Sequence, residues 1–439
     1  MSKPGNSPHR ARVGQRLTFA VAVVATATAL AGCASANPHV SRGGIGLLAQ
    51  PEVTRGTASP VPRGSPQPLS AADTAFGLDV LGAWCRGHPE SNIVFSPESL
   101  ATGLSLAYLG ARGSTAAAMA RVLHLPAGGG PRAEADMRAS WAALGQIARP
   151  GITLAGSNRI WADPSLLPLR GYLDAVATDY DAGVSRAPLR TDPAKAGQII
   201  TAAIDRDTRG HIPELLPPGA LAGDVFVLTD ALYLDAAWAT PFQPSATAAG
   251  PFMTAAGGTA TASYLHGSGY RYATSGGWTA VSLPYRGGKL AMTALLPPAG
   301  SAGCQLPAAA SLGQLSDDLD GAGPSADVAL PKVDLSSHQD MNGLLTGLGM
   351  GIAFSTLANF AGLSPAAASI STVEHAATLQ VAERGTVGSA ATAVGFEASS
   401  AHAVIGPQVD FDRPYLMLVT GTATGEPLFL ARVTNPAVA

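Results

Sequence analysis

The chain has 439 residues, 46% of them hydrophobic and 13% charged, enough for one large or two to three ordinary domains with a substantial core. That composition excludes a disordered or fibrous chain. A net charge of −3 with no clustered Lys/Arg face excludes an electrostatic case for nucleic acid, an anionic membrane surface or a polyanion cofactor.

The N-terminus reads as an export signal. Lys3, Arg10, Arg12 and Arg16 precede an apolar run from Leu17 to Leu30 that is too short to span a bilayer as a mature helix. The run ends Leu30-Ala31-Gly32-Cys33, the pattern of a bacterial lipobox, so residues 1–32 are expected to be removed and Cys33 acylated. The other reading is ordinary cleavage after Ala34-Ser35-Ala36. The first leaves the protein lipid-anchored to the outer face of the bacterial cytoplasmic membrane or cell envelope; the second leaves it secreted. Residues 33–70, rich in Pro, Gly, Ser and Thr, cannot bury enough apolar surface to fold alone and are expected to form a disordered tether. Cys85 and Cys304 fit no zinc or redox spacing, and either packed thiols or a disulfide would suit an exported protein.

From Ala71, Phe76, Leu78, Val80, Leu81 and Trp84 recur at helical spacing. Asn92 to Phe95 then predicts a short strand, with Ser96 and Pro97 capping and opening a helix that carries Leu100, Leu104, Leu106 and Leu109. Ala155 to Trp161 predicts a strand, Leu173 to Tyr180 a helix and Val225 to Leu234 a second strand. From Ser263 to Pro297, β-branched and aromatic runs alternate with Gly-rich turns, as in successive strands. No linker-like interruption divides these elements, so residues 71–439 are expected to form one domain.

The stretch from Glu383 to Ala403 is unusual. Between Arg384 and Glu397 it carries no charge and no proline. As a strand it would place Thr386, Gly388, Ala390, Thr392, Val394 and Phe396 on one face. Val387, Ser389, Ala391, Ala393, Gly395 and Glu397 would occupy the other. Both faces begin small, so the segment can slide between two existing strands; a flexible Ala/Gly/Ser linker has the same composition.

The flanking sequence separates these readings. Thr372 to Thr386, Phe411-Asp412-Arg413-Pro414-Tyr415-Leu416 and Pro427 to Pro436 resemble the serpins. So do Asn92 to Ala101, Asp207 to Leu216, Trp238-Ala239-Thr240-Pro241-Phe242, Val328 to Val333 and Leu344 to Met350, which extends the resemblance from about residue 72 to 436. Thr201 and Ala203 depart from it, standing where serpins usually have Asn and Trp.

The resemblance implies an α+β serpin-like fold with a large, mainly antiparallel central sheet, additional smaller sheets, surrounding helices and an exposed reactive-centre loop. It also implies a monomeric inhibitor of extracellular serine, or cysteine, proteases: the target cuts the loop, and the freed segment from Gly385 to about Glu397 inserts as a new central strand. A non-inhibitory serpin acting as a binding or structural protein is the competing function. The resemblance assigns the loop hinge to Glu383, Gly385, Thr386, Val387, Gly388, Ser389, Ala390 and Ala391. Counting forward from Glu383 puts the cleaved bond at Ser399-Ser400, and counting back from Phe411 puts it near Ala403. Phe396, Ala398, Ala401 and His402 are the alternatives. The small Ala398, Ser399 and Ala401 imply a target with a shallow primary pocket, elastase- or subtilisin-like, whereas Phe396 or His402 as the recognition residue would imply a different protease class.

Ser96, Ser99 and His375 match the family's shutter, where strands part to admit the loop, and Trp238 matches a residue near the insertion point. Asp230 stands where the family usually has Asn, and beside His375 it is expected to favour the charged imidazole and make sheet opening depend on pH. No cofactor and no metal are implied. No Gly-x-Ser-x-Gly elbow, His-Glu-x-x-His helix or Walker loop is present, so an enzyme is not indicated.

Overall fold

The computed structural model describes residues 50–148, 151–212, 215–216, 219–221, 225–301, 303–321, 323–367, 369–386 and 406–438. Cys33 and the hinge and cleavage candidates from Val387 to Ala403 lie outside them.

In chain order, β1 (Val53–Thr54) leads to α1 (Pro66–Gly87), β2 (Ile93–Phe95), α2 (Pro97–Tyr108), α3 (Gly113–Val122) and α4 (Pro131–Leu144). These are followed by β3 (Ile152–Ala162), α5 (Arg170–Tyr180), β4 (Val184–Arg186), α6 (Pro193–Asp207) and β5 (Phe226–Ala237). A β-rich middle holds β6 (Ala248–Met253), β7 (Thr259–Ser275), β8 (Trp278–Pro284) and β9 (Leu290–Leu296). After α7 (Ala309–Asp320) come β10 (Ser325–Pro331), β11 (Val333–Asp340), α8 (Asn342–Leu345), β12 (Thr372–Ala382) and β13 (Gly385–Thr386). The chain ends with β14 (Gln408–Asp410), β15 (Tyr415–Gly421) and β16 (Pro427–Val433).

Helices α1, α2, α4 and α6 each open on proline, whose missing N–H would be unpaired in the first turn anyway. The Ser96 hydroxyl accepts the Ser99 N–H at 3.0 Å, capping α2 as its sequence predicts.

Two sheets carry the fold. One has the strand order β1-β4-β3-β5-β13-β12-β11, with β3–β4 and β5–β12 parallel and the other pairings antiparallel. The expected smaller sheets are joined into a single nine-stranded one, because the 17-residue β7 pairs with β6 and β10 along its length and with β8 at its end.

Strand β5 is buried on both faces. Val227 and Ala231 point to α6, whose Ala196, Ile200, Ala203 and Ile204 form one apolar stripe, while Phe226 and Leu228 join the core that includes α2. At Ala203 the Trp usual in serpins is not needed, since Ile200, Ile204 and Trp161 fill that face.

The expected tether is revised for its second half. Residues 50–65 lie along the folded body as a strap. Val53 and Thr54 pair antiparallel with Ser185 and Val184, the Thr57 N–H donates to Asp174, and the Ser59 N–H donates to Thr178. Farther on, Arg138 donates to the Pro62 carbonyl, and the Gly64 and Ser65 N–H groups reach Ala135 and Asp136. Composition suggested a free segment because the strap has little apolar surface of its own. It is held by backbone pairing to a sheet edge and by side chains of α4 and α5.

Cys85 at the end of α1 is disulfide-bonded to Cys304 across a sequence separation of 219 residues, a cross-link of a kind that stabilises by about 2–4 kcal/mol. The buried Arg432 guanidinium braces the same junction by donating to the carbonyls of Pro89 and Gly303.

A Cβ on Gly56 would sit 2.2 Å from the Leu173 backbone. The change Gly56→Val is therefore expected to lift the strap, speed proteolytic cutting between residues 50 and 65, and lower stability by about 1–3 kcal/mol. Limited proteolysis and thermal unfolding check both effects.

Candidate functional site

The site is the seam between β5 and β12. Along its lower part the strands pair directly and in parallel, from Val227–Thr372 to Tyr233–Thr378. Above Tyr233 they separate. The chain leaves β12, turns at Glu383 and Arg384, and returns between them as β13, with Gly385 and Thr386 paired antiparallel to Ala237 and Ala236 on one side and to Ala382 and Val381 on the other. Gly385 is required by close approach, since a Cβ there would lie 2.1 Å from the Ala236 carbonyl oxygen.

The turn is anchored at several points. The Trp238 N–H donates to the Arg384 carbonyl and the Phe242 N–H to that of Glu383, each at 2.8 Å, while the Trp238 indole N–H donates to the Ala382 carbonyl at 2.9 Å. The Glu383 carboxylate accepts from Lys332 Nζ and Thr247 Oγ1, each at 2.9 Å. Burial works to raise the Glu383 pKa, but these hydrogen bonds and the Lys332 charge outweigh it and hold the carboxyl below its ordinary value. Thr386 is fully buried and its hydroxyl bonds the Tyr285 phenol, whose ring stacks on Trp238 with centroids 4.5 Å apart.

Lower on the seam, a polar row crosses three strands beneath the start of α2. Asn158 of β3, Asp230 of β5 and His375 of β12 are opposite one another in register. Ser99 donates its hydroxyl to Asn158 at 2.7 Å, His375 Nδ1 bonds Asp230 Oδ1, and the Ser96 backbone N–H donates to His375 Nε2 at 3.1 Å.

The last bond fixes the tautomer. With Nε2 accepting from Ser96, the ring proton is on Nδ1, where it is given to the carboxylate, and the imidazole is neutral. A second proton on Nε2 would face the Ser96 N–H donor. The expected Asp230–His375 pair is therefore formed, but the charged imidazole expected with it does not fit this arrangement.

Ser96, His375 and Asp230 also do not make a nucleophilic triad. All three are buried, and the Ser96 hydroxyl is occupied in capping α2. Asn158 was not singled out from the sequence; the signal was an Asn in an otherwise strand-like run, a residue type depleted in strands.

The next described element after β13 is β14, which pairs in parallel with β10 at the edge of the other sheet.

Comparison with known proteins agrees with this geometry. The family described as Serpin (serine protease inhibitor) matches residues 71–436. Serpin-Z7 of Hordeum vulgare is 31% identical over 84% of the chain and 96% of its own length. The Leukocyte elastase inhibitor of Bos taurus is 29% identical over 84% of the chain and 99% of its own length. Among solved structures, the thermophilic serpin tengpin in the native state superposes with a TM-score of 0.74 at 22% identity, covering 88% of this chain and all of its own.

Substitution at Thr386 tests the seam. Thr386→Arg buries a guanidinium and is expected to expel β13 and cost several kcal/mol. Thr386→Val loses only the bond to Tyr285, about 1 kcal/mol. Denaturant unfolding measures the cost, and protease sensitivity of the Glu383–Thr386 turn reports the expulsion.

Proposed function

The chain is a member of the serpin family, and from that premise we propose that it is a suicide inhibitor of extracellular serine proteases, with cysteine proteases as the second class. The target cuts within residues 387–405, and the freed segment then inserts between β5 and β12. The observation that carries this reading is β13: Gly385 and Thr386 already occupy the inserted position, paired on both sides.

Continuing the register of β13 gives the course of insertion. Val387 and Gly388 would come opposite Asp235 and Leu234 on β5, and opposite Gln380 and Leu379 on β12, where the two strands are not yet paired. Ser389 is the first residue to meet the closed ladder, at Tyr233 and Thr378. Gly395 would meet its last pair, Val227 and Thr372. Insertion through Gly395 would replace one parallel ladder with two antiparallel ones.

The alternation of faces agrees with this course. Thr386, Gly388, Ala390, Thr392 and Val394 fall on the side of Phe226 and Leu228, and all are uncharged. Complete replacement of the ladder requires the cut to lie beyond Gly395. That suits Ser399-Ser400 and the alternatives Phe396, Ala398, Ala401, His402 and Ala403, of which the small Ala398, Ser399 and Ala401 favour an elastase- or subtilisin-like target.

Export and lipid anchoring through Cys33 belong to the same proposal. The Cys85–Cys304 disulfide supports an oxidising compartment. A Cys33→Ala variant is expected to move from the membrane fraction to the medium, as read by fractionation; an unchanged distribution would remove the anchor.

The inhibitory reading is tested by incubation with an elastase-like protease. A complex that survives SDS is expected, with a C-terminal fragment whose mass places the cut between Phe396 and Ala403. Cleavage products alone would contradict trapping. By register Thr392 inserts between Asp230 and His375, so Thr392→Asp should put a second buried carboxylate beside Asp230 at a cost of several kcal/mol. The variant should be cut as readily as the wild type while the trapped fraction falls about tenfold or more.

A further inference from the structure

Three acids are packed together in the interior. Asp73 and Glu98 are each 4% exposed and Glu426 is 1% exposed. They come from three elements: α1, the first turn of α2, and the turn joining β15 to β16. Hydroxyls surround them. Ser70 of α1 and Ser140 of α4 donate to Glu426 Oε2 at 2.7 and 2.8 Å, and Thr102 donates to Glu98 Oε1 at 2.9 Å.

The other Glu426 oxygen, Oε1, is buried and reached by no N–H or hydroxyl. The Glu426 carboxyl instead meets that of Asp73, and two carboxyls can hydrogen-bond only with a proton between them. The charges acting on Asp73 and Glu98 are acidic: Glu426 on both, Glu98 on Asp73, and Asp230 of β5 on Glu98. On α5, Tyr180 is buried next to the group, and Asp179 is taken by Arg138 at 2.6 Å. On α4, Asp136 lies one turn ahead of Ser140 with its Oδ2 unbonded. His375, the ring facing Asp230, is occupied by that carboxylate and by Ser96. Among the described residues no set of His, Cys, Asp and Glu is arranged to hold a metal ion.

We propose that Asp73, Glu98 and Glu426 form a proton-held clamp that ties α1, α2, α4 and the β15–β16 turn together, and that the native fold loosens as the clamp gives up its protons on the alkaline side of neutrality. The clamp includes the turn of α2 that carries Ser96 and Ser99, so it also steadies the polar row across the seam.

The direction follows from linkage. Burial, then repulsion from Glu426, pushes the Glu98 carboxyl up to about 8 from an ordinary 4.5, and burial with the same neighbour raises Asp73 well above its usual range. Between those values the folded chain holds protons that the unfolded chain has released. For Glu98 this contribution to stability is complete below 4.5 and is lost as pH rises through about 8, the folding equilibrium weakening about tenfold per pH unit per proton.

The test is thermal unfolding of the full chain from about pH 5 to about pH 9, for wild type and Glu98→Gln. Gln keeps an acceptor for Thr102 but cannot titrate. The wild-type midpoint is expected to fall steadily across that range, and the variant to fall less steeply, by one proton's worth, and to be the more stable protein at the alkaline end. Parallel curves, or a wild-type curve that does not fall, overturn the clamp. Should the variant fail to fold, denaturant unfolding of wild type in weak buffer near pH 7.5 counts the protons released. One or more supports the clamp, and none overturns it.

Discussion

The backbone of β5 and β12 can be paired in only one way at a time. Each strand has one free edge toward the other, and that edge either closes directly on its neighbour or accepts a strand between them. The molecule does both along a single seam, closed from Val227 to Tyr233 and occupied by β13 at Ala236 and Ala237. The surrounding features serve that division. Trp238 and Tyr285 form the floor on which Thr386 rests, Glu383 with Lys332 and Thr247 fixes the turn above it, and the Asn158–Asp230–His375 row bolts the closed part. Gly385 and Thr386 are thus paired on both sides at the top of the seam.

Much of this arrangement was legible in local sequence. Ser96 before Pro97 marked the start of α2, and the β-like run from Val225 to Leu234 marked β5. What escaped has a common cause, dependence on distant partners. The strap at residues 50–65 looks like a free tether until the β4 edge and the flanks of α4 and α5 are supplied. Cys85 and Cys304 are 219 residues apart, and no local pattern pairs them. Asp73, Glu98 and Glu426 sit in unrelated stretches and look like ordinary surface acids until the fold brings them together. The Asp230–His375 pair was anticipated, but its charge state depends on the Ser96 N–H, which only the packing of α2 against β12 could place.

The interior of this protein is more polar than its 13% charged content suggests. Two groups of buried acids adjoin α2: Asp230, whose Oδ1 is bonded by the His375 imidazole while its buried Oδ2 has no hydrogen-bond partner, and the Asp73–Glu98–Glu426 set, which hydroxyls surround. Protonation of the second set avoids uncompensated buried charge, which would cost several kcal/mol. Both groups attach α2, the most enclosed helix of the fold, to elements that must keep their places if the seam is to open without the domain unfolding. The strap and the disulfide act at the periphery in the same sense, fixing α4, α5 and the end of α1 against the rest.

The central claim is that the seam is an unfilled place in a sheet which the chain's own segment completes once it is cut. The most direct measurement compares thermal unfolding of the intact protein with that of the same protein nicked between residues 396 and 403 and left associated. The account requires the nicked form to melt well above the intact one, because Ser389 to Gly395 would then replace one ladder with two. If both forms melt together, the seam is simply closed and the inhibitory reading fails with it.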